Sequence, residues 1–284
     1  MNTEQGQMES EQPGGDSVVE TLTGLGRGFG GALLFALPLF MTMEMWWLGF
    51  YMDRSRLLLL LLLNIPLLIV LSHHAGFEKT KCWWDDLRDA GIAFGIGLTT
   101  CGAILAVLGL LDPAMTADEI IGKIAVQTVP ASIGALLGSS QLGTDSVDAE
   151  ELSETQTYLS QLFLMCIGAL FLGLNVAPTE EMVLISYKMT EWHAVALIAL
   201  SIIVMHGFTY ALEFSGTAPM PERGRWAAFF FFTVVGYAIA ICVSLYVLWT
   251  FGRTQDASWT QIMITATVLG FPAAVGSAAA RLIL

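Results

Sequence analysis

Glutamates at two matching places in this chain stand inside apolar segments, where a carboxylate could bind a cation or carry a proton. Residues 31–45 (GALLFALPLFMTMEM) align without a gap with residues 168–182 (GALFLGLNVAPTEEM), and seven of the fifteen positions are identical. The alignment pairs Glu44 with Glu181. A charged side chain in the hydrocarbon of a membrane is costly and marks a functional site by default. The pair therefore indicates a site built from two related halves of the chain.

Hydroxyl and amide oxygens accompany these glutamates. A threonine stands two residues before each aligned glutamate, and the second copy adds another glutamate and, one turn earlier, an asparagine. Carboxylate, hydroxyl and carbonyl oxygens are hard ligands that suit Ca²⁺, Mg²⁺, Na⁺ or protons. The predicted ion-binding residues, with Glu44 and Glu181 as the candidate metal ligands, are Glu44, Glu180, Glu181, Thr42, Thr179 and Asn175.

A proline directly before the acids of the second copy predicts a broken helix. Pro178 has no amide proton and, inside a helix, its ring would clash with the carbonyl of Leu174. Broken helices supply ion and substrate sites near the middle of a membrane, because their ends expose backbone groups. The first copy carries Pro38 instead and has Met43 where the second has Glu180, so the predicted site is only pseudo-symmetric.

Competing interpretations of these residues stay open at this point. The glutamates could stabilise helix starts or pair with a base, although Lys123 is the one base deep in a predicted span. We assign His206 and His74 as candidate members of a proton relay, because a histidine near a carboxylate can pass protons. A histidine that is merely hydrogen-bonded to a backbone carbonyl is the alternative.

Composition places the elements that carry these residues in a membrane. Of the 284 residues, 55% are hydrophobic and 13% are charged, whereas soluble domains are nearer one-quarter charged. Several apolar runs reach the ~20 residues that cross a bilayer, so we predict an all-α integral membrane protein. The fourth of its eight spans is the most polar and could be re-entrant. The predicted spans are residues 29–52, 57–76, 90–111, 120–142, 158–189, 192–214, 226–251 and 259–284.

A second pair of motifs extends the internal similarity. The fourth span carries PASIGA at residues 130–135, and the eighth carries PAAVGS at residues 272–277. Both ends of each half therefore match, and an even number of spans starts each half on the same side of the membrane. We predict two parallel four-helix repeats, over residues 27–142 and 155–284. We also predict a disordered acidic tail over residues 1–26 and an acidic linker over residues 143–154.

Charge and cysteine content limit the partners. The net charge of −13 argues against nucleic acid, and the four cysteines lack the C-x-x-C spacing of zinc sites. We expect no organic cofactor, only a bound metal cation. The predicted spans put seven basic residues on the side that bears the N-terminus and five on the other side. Because Lys and Arg are in excess in cytoplasmic loops, this predicts a multi-pass protein of the cell membrane with both termini in the cytoplasm. Those seven are Arg27, Lys79, Lys81, Arg88, Arg223, Arg225 and Arg281.

Three segments carry a family resemblance. With GALLFALPLFMTMEMWW at residues 31–47, VPASIGALL at 129–137 and LNVAPTEEM at 174–182, the chain resembles a prokaryotic family of integral membrane proteins without an assigned function. The resemblance covers nearly all of the chain after residue 26, and it implies a multi-pass membrane protein without adding an activity.

The residues themselves favour cation transport, by a coupled transporter or a channel, for Ca²⁺, Na⁺ or H⁺. A channel would more naturally need a homo-oligomer that surrounds a pore with carboxylates. Two alternatives remain: a membrane-embedded enzyme with the glutamates as acid and base, and a structural or sensory membrane subunit. The sequence contains neither H-E-x-x-H nor G-x-S-x-G, so we expect no enzyme.

Overall fold

The computed structural model describes residues 15–75, 83–141, 158–211 and 229–283, and all regular structure in these ranges is helical. The predicted linker at 143–154 lies outside them. Ten α-helices and one π-helical segment follow one another along the described chain. They are α1 (Gly15–Phe40), α2 (Met43–Tyr51), α3 (Arg54–Ala75), α4 (Trp83–Val107), α5 (Ala117–Gln141), α6 (Tyr158–Val176), α7 (Glu180–Lys188), α8 (Glu191–Ala211), the π-helical segment (Phe229–Val234), α9 (Val235–Thr250) and α10 (Trp259–Ile283).

Eight of the helical stretches are long and apolar enough to cross a membrane, as the sequence predicts. The fourth of them, Ala117–Gly138 in α5, is one continuous helix that is long enough to cross a membrane. In the most apolar stretch of this span, 83% of the residues are buried within the protein, a larger share than in any other span. Its polar residues are therefore tolerated because they face neighbouring helices and not lipid.

The structure corrects three predicted boundaries. The first span ends at Phe40, and the segment predicted to complete it is the separate helix α2. The third begins at Trp83 and not at residue 90, because Asp85 and Asp86 lie in the first turn of α4, where acids favour the helix dipole. Residues 15–26, predicted as part of a disordered tail, are helical, and residues 1–14 of that tail lie outside the described chain.

A central helix organises each half. The helices α1, α2, α3 and α4 all contact α5, and α6, α7, α8 and α9 all contact α10. The order of helices and the pairs in contact therefore correspond between the halves. The parallel two-repeat arrangement itself stays a prediction, which this correspondence supports.

Glycines allow the same close approach of two helices in each half, α1 to α5 and α6 to α10. A Cβ atom on Gly31 would lie 2.2 Å from the carbonyl oxygen of Gly134, and one on Gly168 would lie 2.1 Å from that of Gly276. Neither helix pair could pack this way with a larger residue, since real Cβ atoms do not approach so closely. The two contacts fall at the positions that the sequence alignment pairs, so α1 on α5 and α6 on α10 are matching interfaces.

The loops that lead into the central helices also match. Gly109 and Gly252 have positive φ angles of 68° and 74°, which glycine adopts without strain. The amide of the next residue then bonds back to a helix carbonyl, at 2.9 Å for Leu110 and 2.8 Å for Arg253. Leu110 and Arg253 therefore occupy equivalent places, one in each half.

Aromatic and arginine side chains join the two halves. The rings of Phe35 in α1 and Phe171 in α6 meet with their centroids 4.7 Å apart. Arg56 in α3 donates to the carbonyl oxygen of Trp249 at 2.5 Å and lies 4.8 Å from the centre of its ring. The two halves are therefore in direct contact through side chains of α1, α3, α6 and α9.

Candidate functional site

The first break separates α1 from α2 at Met41 and Thr42. The Thr42 hydroxyl donates to the carbonyl of Pro38 at 2.6 Å, and the Trp46 indole nitrogen donates to the carbonyl of Phe40 at 2.8 Å. Carbonyls in the last turn of a helix have no partner within the helix, so side chains must supply one. Two neutral donors therefore close the end of α1.

Packing against α5 fixes the depth of this break. Gly31 in α1 lies against Gly134, and Gly49 in α2 lies against Lys123, nearer the start of α5. The chain thus continues in one direction along α5 across the break. Glu44 stands five residues before Gly49. At a rise of about 1.5 Å per residue, Glu44 therefore lies roughly 7.5 Å further than Gly49 from the start of α5. Its half-buried side chain is therefore placed along α5 between the levels of Lys123 and Gly134.

A buried glutamine on α5 lies level with the first break. Lys123, Gln127 and Gly134 share one helical face, since they are four and seven residues apart, and α2 and α1 contact that face on either side of Gln127. Gln127 is fully buried, and its amide nitrogen donates weakly to the carbonyl of Lys123 at 3.3 Å. Its Oε1 has no hydrogen-bond partner among the described residues. The break in the first half therefore has an unsatisfied oxygen beside it.

In the sequence, Gln127 is one polar residue of the most polar predicted span and carries no signal of its own for a site. The contacts of α1 and α2 with α5 place it between the two helices that the first break separates.

The second break separates α6 from α7, and Pro178 lies between them. The Thr179 hydroxyl donates to the carbonyl of Val176 at 2.8 Å, and the Asn175 amide donates to that of Phe171 at 2.8 Å. Asn175 Oδ1 is buried and lacks a partner within the described part of the chain. Each break therefore has one amide oxygen that remains free to accept a ligand.

The second break has the same relation to its central helix as the first. Ser186 in α7 bonds to Gln261 and Thr265 of α10 at 2.9 and 3.0 Å, and Ser186 is the residue that aligns with Gly49. Glu181 again stands five residues before this contact. It follows from the helical rise that Glu44 and Glu181 lie at comparable depths.

An arginine that the sequence analysis did not assign reaches the second break. A guanidinium nitrogen of Arg253 donates to the carbonyl of Pro178, and its buried Nε makes no hydrogen bond to any described residue. In the first half the matching residue, Leu110, has no such side chain. There, Lys123 donates to the carbonyl of Leu110 at 2.8 Å and lies 4.6 Å from the ring centre of Phe50.

The structure does not gather the three glutamates into one cage. No group of three or more His, Cys, Asp or Glu side chains that could hold a metal occurs among the described residues. Glu180 and Glu181 are exposed on the single chain, and Glu44 is half-buried. The candidate residues therefore fall into two groups, one at each break.

The predicted relay histidines lie on other helices. His206 in α8 is 3.0 Å from the Thr233 hydroxyl of the π-helical segment, and His74 is in α3 with its side chain outside the described set. The most buried carboxylates of the described chain belong instead to Asp86 and Asp89 in α4. Both precede residue 90, where the sequence predicts the start of the third span.

Comparison with known proteins identifies one match. No curated protein and no solved structure matches the chain. A family model described as "Putative integral membrane protein (DUF2391)" matches residues 24–284. This range includes both breaks, both central helices and all eight candidate spans apart from the start of the first. The chain therefore belongs to the DUF2391 family of integral membrane proteins.

Proposed function

We propose that this protein moves a cation, Na⁺, Ca²⁺ or H⁺, across the membrane by way of the two helix breaks. Glu44 and Glu181 are the charged ligands, and Gln127 and Asn175 supply neutral oxygens. The observation that carries the proposal is at the first break. There, the half-buried Glu44 follows the break and forms no ion pair with any described residue, and the fully buried Gln127, whose Oε1 has no partner among those residues, lies on α5 between the contacts of α1 and α2 with that helix.

Stabilisation of helix starts does not account for these acids. A glutamate in the first turn of a helix contributes about 0.3–1 kcal/mol through the helix dipole. A carboxylate at the centre of a membrane helix costs about 2.5–3.5 kcal/mol on insertion scales. The dipole offsets less than half of that cost. A basic partner would offset more, but none of the described residues forms an ion pair with Glu44 or Glu181.

Broken spans in both halves favour a coupled transporter over a channel. In transporters, discontinuous helices hold the ion near the middle of the membrane while the surrounding helices move. Contacts between the halves include the ring pair of Phe35 and Phe171.

Ion flux into proteoliposomes tests the proposal. Purified protein would be reconstituted, and uptake of Na⁺, Ca²⁺ and H⁺ would be measured separately. We expect flux of one of these ions, and we expect Glu44→Gln to lower it at least tenfold because the charged ligand is lost. Glu191→Gln is the matched control, since Glu191 is an exposed acid in the first turn of α8, away from both breaks.

Two results would contradict the proposal. The first is an absence of flux for all three ions from protein that is folded and correctly inserted. The second is a flux that Glu44→Gln and the Glu191→Gln control change equally. Size-exclusion profiles of each variant would establish that it folds.

A further inference from the structure

We infer that Arg253 is the resident cation of the second break, so that each chain binds one mobile metal cation and binds it at the first break. The inference rests on the proposed function and assigns unequal roles to its two half-sites. It concerns Na⁺ or Ca²⁺, and it makes Arg253 a determinant of how many ions are bound.

Two residues at the second break carry opposite charges, and the residues at their places in the first half are uncharged. Glu180 adds an acid where the first copy has Met43. Arg253 adds a base at the place that Leu110 occupies in the first half, as the matching loop hydrogen bonds establish. The additional negative charge at the second break is therefore accompanied by an additional positive charge.

The arginine also takes up a ligand position. Its guanidinium bonds to the carbonyl of Pro178, which is one of the backbone oxygens that the helix break exposes. At the first break the corresponding donor is the neutral indole of Trp46, which bonds to Phe40. A metal ion at the second break would have to compete with a fixed positive charge for the same oxygen.

The two central helices also differ in the neutral ligands that they supply. Gln127, with its unsatisfied oxygen, lies beside the first break. The residue that aligns with it on α10 is Leu269, which is fully buried and has no polar atom in its side chain. The first break therefore has a free oxygen on its central helix, and the second break has none at that position.

The Arg253 charge has a large enough effect to decide between the sites. A unit positive charge within several ångströms of a second cation, at the effective dielectric of a protein, weakens its binding by at least about tenfold. Removal of Arg253 would leave two carboxylates at the second break without the accompanying base. We expect that change to create a second metal site.

Counting bound ions tests the inference directly. Detergent-purified full-length protein would be equilibrated by dialysis with radiolabelled Na⁺ or Ca²⁺, and the ions bound per chain would be measured. We expect one ion for the wild type, none for Glu44→Gln, two for Arg253→Ala and one for Arg253→Lys, which keeps the charge. The double variant Arg253→Ala/Glu181→Gln should return to one ion, because it loses the new ligand.

Arg56→Ala is the matched control, since Arg56 also donates to a backbone carbonyl of a neighbouring helix, that of Trp249. It should still bind one ion. Two ions in the wild type, or one ion in a folded Arg253→Ala variant, would overturn the inference and leave the proposed function standing. Zero ions in every variant would also overturn it, and the flux assay would then decide whether the proposed function survives through H⁺.

Discussion

The two helix breaks have the same backbone plan and different charges. At the first break, the neutral donors Thr42 and Trp46 close the end of α1. At the second break, the guanidinium of Arg253 bonds to the carbonyl of Pro178 between the two helices. The contact of Gly31 with Gly134, by contrast, has its counterpart in that of Gly168 with Gly276, and the loops at Gly109 and Gly252 are alike. Steric requirements at a close helix contact allow few residues, whereas a carbonyl accepts any donor, so the donors are free to differ between the halves.

The strongest test of the shared plan is to add one methyl group at each glycine contact. We expect Gly31→Ala and Gly168→Ala to destabilise the protein by similar amounts, about 1–3 kcal/mol each, because the added Cβ overlaps a backbone oxygen. Gly26→Ala and Gly173→Ala lie on the same helices with open space around them and serve as controls. Thermal unfolding would measure the effect. Unequal losses at Gly31 and Gly168 would show that the two interfaces are not equivalent.

A substitution at Gln127 makes the first break resemble the second. Gln127→Leu places there the residue that the second half has at Leu269, and it removes the unsatisfied oxygen. We expect flux at low cation concentration to fall about tenfold, which corresponds to about 1.4 kcal/mol of binding free energy. Gln127→Glu keeps an oxygen and should retain flux. Equal activity of the leucine and glutamate variants would remove Gln127 from the site.

The indole of Trp46 is specific to the first break, because Val183 holds the aligned place in the second. Trp46→Phe leaves the carbonyl of Phe40 without this donor, which we expect to cost about 1–3 kcal/mol. Trp47→Phe, at the exposed neighbouring position, should change the stability little. Thermal unfolding followed by size exclusion would compare the two. Similar melting temperatures would mean that another group replaces the indole.

The smallest expected difference concerns the helices that follow the breaks. Asp53 accepts hydrogen bonds from Ser55 and Arg56 at the start of α3, and the Ser55 hydroxyl contributes most to lowering its pKa. Stability from a lowered pKa is present above the ordinary value of Asp, about pH 4, and is lost as the pH falls through the folded-state value. Thr190 takes this place before α8 and does not titrate there.

We therefore expect that in Asp53→Thr the stability against denaturant depends less on pH below about pH 4 than in the wild type. Denaturant midpoints at pH 3 and pH 6 would be compared for the wild type and the variant. The wild type should lose slightly more stability between the two values. The same loss in both proteins would mean that Asp53 does not couple α3 to pH.

Local sequence was sufficient to predict the helices and the second break, and insufficient for much of the site. Eight apolar runs predict the eight spans, and Pro178 stands in the break itself. Pro38, by contrast, lies inside α1, and the break after Phe40 occurs among apolar residues without a local signal. The partner of Arg253 lies 75 residues away in sequence. Gln127 and Arg253 are brought to the two breaks only by tertiary packing, which one sequence does not reveal.

The position of α5 in the chain has a consequence for biosynthesis. It contains Lys123 and Gln127, and 83% of its most apolar window is covered by protein. Such a helix is poorly stabilised by lipid alone, since its polar groups need partners from other helices. It is the last helix of its half, as α10 is of the second. The ribosome therefore delivers each central helix after the helices that enclose it, so every half can be completed in the membrane as its synthesis ends.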